Sequence, residues 1–381
     1  NILYAKKITS HGVKKGCIED MLAVVSEIKQ LVSEASKTLE APITQVALCI
    51  PSFHARIYQS DGITKVNSPS DQITSEDVVR ALRLSQRFER DGDEEIISVI
   101  PTGYYLDTSS TIEIPIGKKS ASLKADSLVI TTKKKLLYSY ISAVEKAGLK
   151  ILDITIDAYA CAKEAFDAVY LQEGAILIDV GYRTSTISFF EGGYLKYIAQ
   201  ASVGGYDLTK KIANTWQIPL DKAEIYKVKY GTCHLNIGDE DIIHITKDEF
   251  GEKIYTQKNL SHVLNDGVRE IMEIIKTKID VIDDGRTYET VIVGGGGELP
   301  EIDRVASVLG CAVRTYRPDT IGARDMSYVS CLGMMYYLND RVKILGHVES
   351  SLVLPDISST MSVRFKGLTK SKSQREDRTK K

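Results

Sequence analysis

The sequence predicts an α/β chain of two domains, interrupted by a smaller α+β insert and ending in a basic tail. Three observations predict it. Residues 175–213, AILIDVGYRTSTISFFEGGYLKYIAQASVGGYDLTKKIA, read as strand, turn, strand, Glu-Gly-Gly turn, strand, a Gly204-Gly205 pair and a helix. Residues 291–297, VIVGGGG, read as a buried strand that runs into four glycines before another helix. Residues 70–154 read as a separate package in the order helix, three strands, helix, strand.

The elements follow in chain order. Apolar residues at Met21, Val24, Ile28, Leu31, Val32, Ala35 and Leu39 fall at helical spacing over 19–39. Residues 45–50 form a strand stopped by Pro51. Asp61-Gly62 suits a two-residue turn, which would make 56–67 a hairpin. Turn formers at 68–75 precede a helix capped by Thr74 or Ser75 with Val78, Val79 and Leu82 on its apolar face. Short strands follow at 95–101, 104–106 and 123–131, then a helix over 136–147 with Gly148 just past its end. A strand at 149–154 closes the insert. Beyond the central stretch, a helix starts near Leu220, and Ser261 reads as the cap of a long helix over 262–280. Strands at 290–293 and 311–316 and a helix over 329–338 complete the core. Residues 364–381 hold eight Lys/Arg against Glu376 and Asp377 with few apolar residues, so 349–381 is expected to be a disordered linker.

Composition narrows the function classes. Hydrophobic residues make up 43% and charged residues 26% of the 381, ordinary for a globular chain with a large core. A net charge of −2 argues against nucleic acid as a partner. The six cysteines, at 17, 49, 161, 233, 311 and 331, have no metal-ligand or redox spacing and read as reduced thiols in a cytoplasmic setting. His54, His234, His244, His262 and His347 show no ligand spacing, and Asp239, Glu240 and Asp241 read as a solvated loop. Trp216 reads as core or domain-boundary packing.

Two strand ends with small turns, each opening toward a hairpin or helix, suit a nucleoside triphosphate gripped from two sides. Asp179 and Gly181 end the first strand, and Gly204 and Gly205 begin the helix after the hairpin. Gly294, Gly295 and Gly296 end the second strand, where backbone without side chains can approach a ligand closely. For both turns the alternative is an ordinary strand connection. Glu224 and Lys227, three apart on one helix face, are either part of the same site or a surface ion pair.

In order along the chain stand HGVKKG, ITSEDV, VIPTGYYLD, ISAVEKAGLKI, IDVGYRTSTISFFEGG, AEIYKVKYG, VIVGGGGELPEI and VSCLGMMYYL. Together they resemble the FtsA family of actin-like bacterial division proteins over nearly the whole chain. The resemblance implies an actin-like two-domain ATPase fold with an α+β insert subdomain. Domain IA would span 1–69 and 155–172, its first strands missing; the insert IC 70–154; IIA 173–219 and 288–348; and IIB 220–287. It implies ATP with magnesium in a cleft between the two domains. Asp179, Gly181 and Thr184 would form the phosphate turn, with Asp179 near magnesium through water. Gly294, Gly295 and Gly296 would lie on the adenosine side, and Glu224 and Lys227 over ribose and base. It further implies head-to-tail self-assembly and binding of the FtsZ C-terminal tail. An amphipathic anchor helix beyond Lys381 would place the protein peripherally on the inner face of the membrane at the division site.

The family pattern at the phosphate turn is close to D-x-G-G-G-T-x-D, whereas this chain has D-V-G-Y-R-T-S-T. Tyr182 and Arg183 replace glycines and Thr186 replaces the acid, while Thr184 is kept. Side chains there crowd a phosphate, although Arg183 offers it a charge. The family's first phosphate loop has no counterpart in residues 1–10, so the chain is expected to be truncated at both ends. Enzymatic activity is expected to be at most slow ATP hydrolysis, with no catalytic residue assigned. Two alternatives stay open: a pilus-assembly protein of the PilM type, and a phosphotransfer kinase of the same superfamily.

Overall fold

The computed structural model describes residues 2–235, 241–248, 251–282 and 284–345. A short hairpin, β1 (Val13–Lys14) and β2 (Cys17–Ile18), leads into α1 (Met21–Leu39). Asp20 starts that helix by accepting the Leu22 and Ala23 N–H groups at 3.0 and 3.1 Å. Then come β3 (Gln45–Ile50), β4 (Arg56–Lys65), α2 (Ser75–Leu84), β5 (Glu94–Tyr105), β6 (Ser110–Thr111), β7 (Ser122–Lys133) and α3 (Lys134–Lys146). The middle of the chain holds β8 (Lys150–Ile156), α4 (Asp157–Ala165), α5 (Ala168–Glu173), β9 (Ala175–Val180), β10 (Ser185–Glu191), β11 (Tyr194–Ala201) and α6 (Gly205–Trp216). The remainder is α7 (Leu220–Tyr230), β12 (Ile242–Asp248), β13 (Gly251–Thr256), α8 (Gln257–Ile279), β14 (Glu289–Val293), α9 (Ile302–Ala306), β15 (Val313–Thr315) and α10 (Val329–Leu345).

The sheet that positions the site has the order β11-β10-β9-β14-β15, with β9, β14 and β15 parallel and the β9-β10-β11 meander antiparallel. Its strands are apolar on both faces, as sheets covered on two sides require. Ala175, Leu177, Val291 and Val293 face α4 and α10, in one core with Tyr159, Cys161, Val329 and Tyr337. Ile176, Ile178, Val180 and Ile292 face α6 and α8, in a second core with Leu208, Ile212, Leu264 and Met272. Trp216 is 2% exposed in that second core and stacks on Tyr255 with ring centroids 4.6 Å apart.

A third core, of Ile73, Val78, Leu82, Val99, Tyr104, Leu123 and Val129, belongs to an antiparallel sheet of order β4-β7-β5-β6 under α2. Here several expectations are corrected. Residues 56–67 are not a hairpin: β4 is one strand, paired with β7 from Arg56 opposite Thr131 to Lys65 opposite Ser122. Asp61-Gly62 does not turn, because the glycine serves close packing. A Cβ on Gly62 would stand 2.0 Å from the Ala81 carbonyl oxygen and 2.5 Å from the Ser85 nitrogen of the α2 end. The expected boundaries of the insert also divide this sheet, since β4 precedes residue 70 yet pairs with β7. Conversely, β8 falls before residue 154 yet pairs in parallel with β3. β5 is a single strand with register irregularities after Ile96 and Pro101, where two shorter strands were expected.

Ser261 does not cap α8. The helix begins four residues before it, where Thr256 and Asn259 form a reciprocal capping box, and the Ser261 hydroxyl donates to the Gln257 carbonyl at 3.0 Å. Asp239, Glu240, His347 and residues 349–381 lie outside the described residues. Among those described, no helix is long and apolar enough to cross a membrane.

Gly62→Ala is expected to cost roughly 2–3 kcal/mol, because backbone of α2 rather than a flexible side chain occupies the space. Gly92→Ala, with nothing within 4 Å of the added carbon, is the matched control. Urea melts of the two variants check the difference.

Candidate functional site

Parallel pairing of β9 with β14 sets Asp179 opposite Val293, so the two strand ends finish side by side. Gly294 follows Val293 at φ 83°, and a Cβ there would stand 2.0 Å from Asp179 Oδ1. A Cβ on Gly296 would stand 2.4 Å from Val180 Cγ1. Gly295 differs from both: a Cβ on it meets nothing within 4 Å. Two of these glycines therefore let the β14 turn lie against the end of β9, and the one between them faces open space.

That space is a cavity of about 440 Å³, within the range of small-molecule sites. Gly181, Gly205, Glu224, Lys227, Gly295 and Gly296 all line it, so six of the ten expected site residues converge. Tyr182, Lys7, Glu298 and Asp325 line it as well. Asp179, Thr184, Gly204 and Gly294 are not in its wall, and the last three act through backbone. The Gly181 N–H donates to the Thr184 carbonyl at 3.0 Å and closes the β9–β10 turn. The Gly205 and Tyr206 N–H groups, at the start of α6, donate to the Gly181 and Tyr182 carbonyls at 3.0 and 2.7 Å. The Gly204 N–H donates to Asp207 Oδ2 at 3.0 Å. These N–H groups, which a phosphate would use, already have protein acceptors.

Tyr182 is half exposed in the cavity wall, edge-on to Tyr206 with ring centroids 5.4 Å apart. Arg183, weighed above as a phosphate partner, instead lies 4.0 Å over the Tyr206 ring. Lys227 donates to Gly205 O at 2.8 Å, Thr209 Oγ1 at 2.7 Å and Glu224 Oε2 at 2.8 Å. Burial lowers its pKa, and Glu224 opposes that shift. At the mouth, Lys7 pairs with Asp325, and Arg317 pairs with Glu298.

Asp179 lies behind the Gly294 turn and does not line the cavity; burial first and the Asp157 charge second push its pKa up to about 7. Asp157 was not singled out from sequence. It begins α4 directly after β8, and its Oδ1 accepts the Ser52 and Ala158 N–H groups at 3.0 and 2.7 Å. Burial raises its pKa too. The signal that marks it is the one used for Asp179, an apolar strand ending in Asp. Thr209, Glu298 and Asp325 carry no comparable signal, because their contacts come from distant segments.

The family model described as "Cell division protein FtsA" matches residues 176–333, and the one described as "SHS2 domain inserted in FTSA" matches residues 53–131. Both models are FtsA models, and they support an FtsA-type, actin-like cell-division protein. The second match begins just before β4 and ends in β7, the span of the four-stranded sheet. Cell division protein FtsA of Bacillus subtilis is 27% identical over 352 residues, covering 91% of this chain and 80% of that protein. FtsA of Streptococcus pneumoniae is 23% identical over 379 residues, covering 98% and 82%. Among solved structures, the PilM-PilN type IV pilus biogenesis complex superposes with a TM-score of 0.57 at 13% identity, covering 87% of this chain and 89% of that one. MreB5 of Spiroplasma citri bound to ADP superposes with a TM-score of 0.54 at 13% identity, covering 86% and 78%. These likenesses place this chain in the actin-like fold.

The raised Asp179 pKa has a sign that can be measured. Between the unperturbed 3.8 and about 7 the folded state holds a proton that the unfolded state has lost. This group therefore lowers stability as pH rises through that window. Asp179→Asn removes the effect. Its melting temperature is expected to exceed that of the parent at about pH 8 and to approach it at about pH 4. Paired thermal melts at the two pH values check this.

Proposed function

We propose that this FtsA-family chain is an ATP-binding, actin-like adaptor that self-assembles head to tail and recruits FtsZ filaments to the cytoplasmic membrane in cell division. The observation that carries the nucleotide part is Gly295, whose missing side chain leaves the β14 turn open to the cavity while its neighbours pack inward. The family match carries the rest.

The residues present fit the nucleoside side of ATP: bare backbone at Gly295 and Gly296, and a carboxylate acceptor at Glu224. They fit a magnesium ion by donor chemistry. Asp157 and Asp179 are hard oxygen donors whose mutual repulsion a divalent cation relieves. Phosphates alone fit less well, because the Gly181, Gly204 and Gly205 N–H groups have protein acceptors and both cations of the wall, Lys7 and Lys227, are already paired with carboxylates. Asp179, through water, and Asp157 are thus the residues that would hold the cation. When bound, the magnesium ion would supply charge neutralisation beside these two carboxylates. The chain's own part is to orient the nucleotide: Gly295 admits the nucleoside and Glu224 accepts from it. Binding that prefers the closed arrangement shifts the population toward it, and polymerisation follows closure. Turnover is slow or absent in this reading.

Magnesium-ATP at about 100 times its dissociation constant is expected to stabilise the parent chain by about 2.7 kcal/mol. Gly295→Val is expected to keep the ligand-free melting temperature and lose that response, since the added bulk meets only the cavity. An equal response in the variant, or none in the parent, counts against the site.

For the adaptor role, a labelled peptide of the FtsZ C-terminal tail is expected to bind the chain saturably by fluorescence anisotropy, and a scrambled peptide is not. Equal binding of both peptides contradicts the adaptor reading.

A further inference from the structure

Thr209 on α6 is 1% exposed, and its hydroxyl is where three groups of the cavity wall meet. The Lys227 ammonium has three N–H donors, and three protein acceptors take them: Thr209 Oγ1, Gly205 O and Glu224 Oε2. The Thr209 hydroxyl accepts from Lys227 and has one proton to give. Its acceptors within reach are Glu224 Oε2 and, at 3.1 Å, Gly205 O. Glu224 Oε2 is thereby held from two sides, and Oε1 makes neither contact. Exposure divides the pair in the same way: the Lys227 side chain is 12% exposed and that of Glu224 34%. Lys227 cannot donate to a ligand without giving up a protein acceptor, whereas Glu224 has an oxygen left to accept from one.

We propose that Thr209 is a positioning residue that fixes the Glu224 carboxylate so that Oε1 accepts a hydrogen bond from a ribose hydroxyl, which makes the cleft selective for ribonucleotides over deoxyribonucleotides. This inference rests on the nucleotide reading of the cleft. Lys227 holds α7 to α6 and serves as the brace of the carboxylate, not as a contact to the ligand. Discrimination follows because a ligand lacking the hydroxyl leaves a part-buried, fixed carboxylate oxygen without a donor. A loosely held Glu224 turns to solvent instead and discriminates little.

The test measures magnesium-dependent affinities of ATP, 2′-deoxy-ATP and 3′-deoxy-ATP by calorimetric titration, for the parent, Thr209→Val and Thr209→Ser. The parent is expected to favour ATP over at least one deoxy analogue by about tenfold or more. Thr209→Val keeps the shape but not the hydroxyl, and its preference is expected to fall to about threefold or less. Thr209→Ser keeps the hydroxyl and is expected to keep the preference. A purely structural role for Thr209 weakens all three nucleotides together and leaves the ratio intact, which overturns the inference. So does a parent that binds the three equally, or a serine variant that behaves like valine. Thr209→Ala replaces the valine variant if thermal melts find the latter unfolded. A parent that binds none of the three overturns the nucleotide reading itself, and this inference with it.

Discussion

The parallel pairing of β9 with β14 is the constraint on which the rest of the cleft depends. Its register brings Asp179 opposite Val293, and the chain must then turn away from two adjacent strand ends at once. One turn is spent on Gly294 and Gly296, which lie against Asp179 and Val180. The other is closed by the Gly181 N–H bond to Thr184 and then receives the start of α6. Because both faces of the sheet are packed, neither turn can move independently of a core. The cavity is the space left between two turns held in this way.

Charge is the second organising fact. Glu224, Glu298 and Asp325 line the cavity against Lys7 and Lys227, while Asp157 and Asp179 are a buried pair of carboxylates at the ends of β8 and β9. A polyanionic ligand entering such a wall needs a cation of its own. Burial of Asp179 and its nearness to Asp157 are expected to cost stability at neutral pH.

Much of this was legible in the sequence because local pattern decides it. The apolar strands at 175–180 and 289–293, the hairpin after Gly181 and the glycine run are each short-range signals, and the Asp179 and Gly295 assignments rest on them. The misreadings have one cause in common, packing from a distant segment. Gly62 has the chemistry of a turn residue but is a contact point for α2. Ser261 has the chemistry of a cap but lies one turn inside a helix that Thr256 begins. Asp157 matters through its proximity to Asp179, twenty-two positions away, and Thr209 through Glu224 and Lys227 on the next helix. The order of segments that marks the FtsA family survives these errors, since it depends on which elements exist and not on where each ends.

The most direct test of the central claim, that the cleft between the β9 and β14 turns is the nucleotide site, is amide hydrogen exchange with and without magnesium-ATP. The account predicts slower exchange confined to residues 181–184, 204–209 and 294–297, the two turns and the helix start that hold the cavity wall. Unchanged exchange in those three segments, with protection elsewhere or nowhere, would contradict it.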